Sequence, residues 1–133
     1  MKTKIIIERG YDGLFSFYMN DDRFDFGLNG QGNTVEKARR EFQLAYEELR
    51  EMYQEESKIF PQLEFVYEYD VPSFLNYYDG ILSKSGLEKI TGINQKQLWH
   101  YSSGKRKPNR ETIRKIQDGL NRFAKDLGQV HFI

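Results

Sequence analysis

Apolar residues recur along this chain with two periods. Phe24, Phe26 and Leu28 alternate with Asp25 and Gly27, and Leu63, Phe65, Tyr67 and Tyr69 alternate with Glu64 and Glu68, the every-second-residue pattern of half-buried strands. Residues 4–7 and 14–19 are two further apolar runs on either side of the tight-turn sequence Tyr11-Asp12-Gly13, so they read as a hairpin. After the third strand, Val35, Ala38, Phe42, Ala45, Leu49 and Met52 step by three and four, a stripe that turns one face of a helix toward the sheet. Asn33 or Thr34 supplies the helix cap, Glu36 follows Asn33 at capping-box spacing, and Gly30 and Gly32 give permissive backbone where the third strand stops. Pro61 breaks the chain before the fourth strand. The order is β-β-β-α-β, a helix on one face of a small sheet.

From Ser73 on, the strand period disappears. Residues 73–85, 85–92, 94–103 and 109–127 read as helices, the last carrying Ile113, Ile116, Leu120, Phe123 and Leu127 at three- and four-residue steps behind a cap at Asn109. The predicted class is therefore α+β, with an N-terminal sheet domain over 1–72 and an all-α domain over 73–133. Within the second, Leu87 and Ile90 face inward, Gly92 allows a turn, Ile93 fills the hinge, Asn94 caps, and Leu98 and Tyr101 anchor the next helix. Two short helices joined in this way form a helix-turn-helix, whose second helix fits a DNA major groove.

Charge sharpens this division. Residues 1–83 hold 9 Lys+Arg against 16 Asp+Glu, a balance of −7, whereas residues 84–133 hold 11 against 4, a balance of +7. An acidic module is thus joined to one that seeks polyanions. The absence of cysteine excludes disulfides, thiolate metal sites and cysteine nucleophiles. The start MKTKIIIERG has three consecutive aliphatics before Glu8, too few for a signal-peptide core or a membrane span, so the expected location is the cytoplasm, with no membrane partner.

With Leu98 and Tyr101 inward, helical spacing leaves Gln95, Lys96, Trp99 and His100 outward. Gln pairs in bidentate fashion with adenine and Lys donates to guanine N7 and O6, so Gln95, Lys96 and His100 are the candidate base contacts. Lys105, Arg106, Lys107 and Arg110 follow beside a helix N-terminus and suit phosphate oxygens. Lys84, Ser85 and Gln97 are further candidate phosphate contacts, although Ser85 also reads as an N-cap. Trp99 reads as packing at a protein interface or against its own first helix.

Two resemblances follow from these residues. Residues 86–127, with GLEKITGINQKQLWHYSSGKRKPNRETIRKIQDGL, resemble the Xre or lambda-repressor-like helix-turn-helix domain. The hairpin followed by GQGNTVEKARREFQLAYEEL resembles the HicB antitoxin domain: Gly30, Gly32, Thr34, Glu36 and Ala38 match its helix approach, with Lys37 in place of a second acidic residue. DDRFDFGLNGQG stands where members of that family carry a Pro-Asp-Leu-Pro-Gly-like segment. The resemblance implies a truncated ribonuclease-H-like N-terminal domain that neutralises a HicA-like mRNA ribonuclease and a C-terminal domain that represses the operon. The alternative is a stand-alone Xre-family regulator whose N-terminal domain binds a small molecule or mediates dimerisation.

Expected partners are double-stranded operator DNA, a HicA-like toxin and a second copy of the chain as a homodimer or higher oligomer. Asp21, Asp22, Asp25, Glu47, Glu48, Glu51, Glu55 and Glu56 are candidates for steering a basic protein. No carboxylate set for two-metal chemistry, Ser-His-Asp set or phosphate-binding loop is visible. A non-enzyme without catalytic residues, metal or cofactor is expected.

Overall fold

Thr3, Ile5 and Ile7 are fully buried while Lys2, Lys4 and Glu8 are exposed and Ile6 is half-buried, and this alternation belongs to β1 (Lys2–Arg9), an inner strand of a four-stranded sheet. β1 pairs antiparallel with β2 (Phe15–Met19) and parallel with β4 (Glu64–Tyr69). β2 pairs in turn with β3 (Asn29–Gly32), giving the order β3-β2-β1-β4. Gly13, at φ 81°, turns the β1–β2 hairpin. The computed structural model describes all 133 residues, as two compact units, Met1–Tyr77 and Tyr78–Ile133. The mixed α/β composition, with strands confined to the first unit, follows the expected order of elements.

The third strand departs from expectation. Phe24, Phe26 and Leu28 alternate in burial but do not form it; β3 is the segment Asn29–Gly32, where the strand was expected to stop. Asp21 bends the chain, accepting from the Arg23 backbone N–H at 3.1 Å and from its Nε at 2.8 Å. The widened loop sends its rings elsewhere: Phe26 stacks on Phe24 and Phe60, with centroids 5.2 and 5.7 Å away, and meets Tyr53 edge-on.

The glycines of β3 are inward positions of a strand. A Cβ on Gly30 would lie 2.3 Å from the Phe42 backbone N and 2.4 Å from the Ala38 carbonyl, so helix α1 (Val35–Glu55) lies directly on the strand backbone. Thr34 caps α1, its side chain accepting from Lys37 N at 3.1 Å; with the cap one residue after Asn33, Glu36 falls out of capping-box register. Val35, Ala38 and Phe42 are buried and Ala45 and Leu49 partly so, whereas Met52 at the far end is 46% exposed. Rings finish the core: Phe42 meets Phe17 at 6.0 Å and Phe65 at 5.6 Å.

The first unit also extends past residue 72. Asp70 accepts from the Arg9 N–H and from the Ser73 N–H, both at 2.9 Å, which fastens the end of β1 and opens a short helix, α2 (Val71–Tyr77). Tyr77 stacks on Tyr69 and takes a hydrogen bond from Arg39 of α1. The helix expected over 73–85 therefore ends at Tyr77, and α3 is the next expected helix. The chain turns through residues 78–82, and Ser83, not Ser85, caps α3 (Lys84–Thr91), accepting from Gly86 N at 3.0 Å.

The second unit comprises α3, α4 (Gln95–Ser102) and α5 (Arg110–Leu127). Leu87, Ile93, Leu98, Tyr101 and Ile116 form its small core. Gly92 ends α3 in the left-handed region at φ 76°. Gly119 lets α5 touch α3, since a Cβ there would lie 2.6 Å from the Ile90 carbonyl oxygen. Beyond Gly119, α5 outruns this core: Leu120 is half-buried and every later residue is exposed. No helix is long and apolar enough to cross a membrane.

Candidate nucleic-acid interface

The α3–α4 junction is set by hydrogen bonds the sequence pattern only partly revealed. Asn94 accepts from Lys96 N at 2.8 Å, as expected of a cap. Glu88 of α3 reaches across and accepts from Gln95 N, also at 2.8 Å. Thr91 donates its hydroxyl to Leu87 O and accepts from Ile93 N, bracing the hinge from within. The first amides of α4 are thus occupied by protein oxygens, so any ligand meeting this end would meet side chains.

Those side chains point outward. Gln95, Lys96 and Trp99 are exposed and His100 is half-buried, while Leu98 and Tyr101 anchor the opposite side. After α4, Gly104 takes φ 79° and the chain folds back, the Arg106 N–H donating to the His100 carbonyl at 3.2 Å. This brings the cationic loop beside the helix. The His100 imidazole is pushed below its ordinary pKa by partial burial first, then by Lys105, Arg106 and Lys96. One imidazole therefore lies within electrostatic reach of a cation from the start of α4 and two from the loop. Lys107 and Arg110 are exposed on either side of Asn109, which caps α5 by accepting from Thr112 N at 2.8 Å.

Three of the expected phosphate contacts stand differently. Lys84 is not available: its side chain is 6% exposed, its Nζ lies 2.8 Å from Asp79 Oδ1, and the ammonium sits 4.8 Å from the centroid of the Trp99 ring. Gln97 is half-buried with its Oε1 sealed from solvent, which places it at the margin of the surface. Ser85 is exposed in the first turn of α3, its hydroxyl 3.4 Å from that of Ser83. Trp99 lies against its first helix, as expected, through Lys84, yet 58% of the residue remains exposed. Sequence spacing placed Trp99 outward but held no signal for the long-side-chain contact that pins it.

The acidic face of the first unit is also smaller than its residue types implied. Asp21 is held by Arg23, whose hydrogen bonds lower its carboxyl pKa to about 2, and Glu56 pairs with Lys58 at 2.9 Å. Glu47, Glu48, Glu51 and Glu55 are exposed along α1. No group of three or more His, Cys, Asp or Glu side chains is placed to hold a metal ion. Scanned against protein-family models, curated proteins and solved structures, the chain matches none.

Proposed function

We propose that this protein is a cytoplasmic, autoregulating antitoxin of HicAB type, whose second unit is a helix-turn-helix that binds operator DNA and whose first unit neutralises a basic HicA-like ribonuclease. The observation that carries the DNA-binding part is the return of the cationic loop onto α4, where the Arg106 N–H bonds the His100 carbonyl at 3.2 Å, beside the exposed Gln95 and Lys96. On this reading Gln95 and Lys96 contact base edges, Lys105, Arg106, Lys107 and Arg110 hold phosphates, and His100 sits between the two groups. The +7 balance of residues 84–133 supplies the long-range attraction.

For the first unit, support comes from the β-β-β-α-β order, the glycine-floored approach to α1 and the exposed carboxylates of α1. These carboxylates suit a cationic protein partner. The protein has no catalytic role of its own in this reading.

The protein acts as a symmetric pair of chains joined along α5. Ile113, Leu120 and Leu127 recur every seven residues, with Ile116, Phe123 and Val130 offset by three, the spacing with which one helix seats another. Ile116 is used inside the unit, but Ile113, Phe123 and Leu127 are 37% to 57% exposed, and Val130, just past the end of α5, is 52% exposed. Helical spacing turns Arg114, Lys115, Asp118, Arg122 and Lys125 away from this seam and flanks it with Thr112, Gln117, Gly119 and Ala124. An uncharged seam is what a second, equally basic copy needs in order to approach, and symmetric pairs match palindromic operators.

Two measurements test this reading. A pool of random-sequence duplexes is selected with the full-length protein; recovery of one sequence family supports DNA recognition, and no enrichment at low salt contradicts it. Co-expression with the adjacent reading frame tests the antitoxin part: co-purification and relief of growth arrest support it, whereas DNA selection without any such partner leaves the stand-alone regulator.

A further inference from the structure

Trp99 is the one large apolar side chain on the outward face of α4, and it is held there. Helical spacing sets it between Gln95 and Lys96, the residues proposed above for base contact. The residue is 58% exposed, an ordinary condition for a surface tryptophan. Its attachment is less ordinary. Lys84, from the first turn of α3, is buried to 6% exposure and places its ammonium 4.8 Å from the ring centroid, while Asp79 holds that ammonium at 2.8 Å. Burying an ammonium costs free energy unless charge and hydrogen bonding offset it. Asp79 offsets part, and the indole face adds a cation–π attraction. Asp79, Lys84 and Trp99 thus form a strut between the turn before α3 and the centre of α4, which fixes the ring plane and leaves the rest of the ring outward.

We propose that Trp99 is an apolar base-reading residue that contacts a thymine methyl group in the major groove, and that Lys84 is its positioning residue. The inference rests on the DNA-binding reading above. The C5-methyl of thymine is the apolar feature of the major-groove code, and an aromatic ring restrained on both position and tilt gains that contact at little cost in side-chain entropy. Gln95 and Lys96 supply polar readout on either side. Lys84, expected from sequence to meet phosphate, acts instead through the indole.

Trp99 is the only tryptophan in the chain, so its emission reports on this site alone. The full-length protein is titrated with the duplex recovered from the random-sequence selection, and binding is followed in parallel by mobility shift. Expected results are a change in Trp99 emission on binding and protection from iodide quenching. Single thymine-to-deoxyuridine replacements, which remove one methyl each, should weaken binding about fourfold at one position per half-site, the factor carried by burying one methyl-sized group. Trp99→Ala should bind thymine and deoxyuridine duplexes alike while keeping its dependence on Lys96. Lys84→Met, close in length and uncharged, should shrink the thymine preference and shift the emission of the free protein.

Duplex binding with Trp99 emission and quenching unaltered would overturn the inference and leave the DNA-binding reading standing. So would a thymine preference that survives in Trp99→Ala. Failure of every duplex to bind would overturn the parent reading and this one with it.

Discussion

The two units close their cores by different means. In Met1–Tyr77, one 21-residue helix lies on bare glycine backbone and a chain of aromatic rings runs from Phe17 through Phe42 to Phe65. In Tyr78–Ile133, five apolar side chains make the core and nearly half of the last helix has nothing beneath it. A Gly contact appears in both, at Gly30 and Gly119, yet only in the first unit does it lie beneath a run of fully buried stripe residues, Val35, Ala38 and Phe42. The lesson is that the first unit seals the start of its helix stripe, Val35 to Phe42, against the sheet, whereas the second leaves the last turns of α5 uncovered and its cations on the surface.

The largest expected effect breaks the first unit. Gly30→Ala puts a methyl 2.3 Å from the backbone of α1, where backbone must move because no flexible side chain can yield. It should cost about 3 kcal/mol or more, read as a lowered denaturation midpoint in guanidinium. A midpoint within error of wild type would show that α1 does not sit on β3 as described. Next comes the open helix. Phe123→Ser with Leu127→Ser should convert a dimer to a monomer in sedimentation, and weaken operator binding by roughly a hundredfold or more as paired half-sites are lost, while the thermal midpoint of the monomer hardly changes. If instead the double variant unfolds, these residues belong to a core.

Smaller effects sharpen the contrast in charge. Binding of a phosphate beside His100 should raise an imidazole pKa that partial burial, Lys105, Arg106 and Lys96 depress in the free protein. Binding then takes up a proton, so affinity should rise as pH falls from about 7.5 to 5.5, by roughly three- to tenfold. His100→Gln should flatten that profile; an unchanged slope would remove His100 from the surface. In the first unit the sign is opposite. The Asp21 carboxyl is lowered to about 2 by Arg23, so its contribution to stability is complete above its ordinary value near 3.8 and is lost as pH falls through about 2. Asp21→Asn should therefore lower the unfolding midpoint slightly at pH 7, where the contribution is complete, and converge with wild type as pH falls through about 2.

Much of this was legible from residue pattern, because burial writes its period into the chain. The stripe on α1, the Gly92 turn, the Asn94 and Asn109 caps and the inward pair Leu98 and Tyr101 all stand where spacing puts them. The third strand was misplaced because Phe24 and Phe26 do alternate in burial, but Phe26 packs against Phe24, Phe60 and Tyr53 at the end of α1, and neither residue joins a strand. Gly30 and Gly32 read as permissive backbone at a strand's end, since a glycine that ends a strand and one that allows a helix to touch a strand look alike in sequence. Lys84 and Asp21 were assigned outward roles on residue type alone. Their partners, Asp79 with Trp99 and Arg23, are long-side-chain contacts that leave no periodic trace. The exposed end of α5 looked like the rest of its stripe, because spacing says which face is apolar and not what covers it.

The most direct test of the central claim, that the α4 face and the loop after it form one duplex-binding surface with divided roles, compares Lys96→Ala with Lys105→Ala. Each is titrated against the selected duplex and a scrambled one across a range of salt. Lys96→Ala should lose about 1 to 3 kcal/mol on the selected duplex and little on the scrambled one. Lys105→Ala should weaken both alike and lower the salt slope by about one. Two variants with the same loss on both duplexes, or with none on either, would contradict the claim.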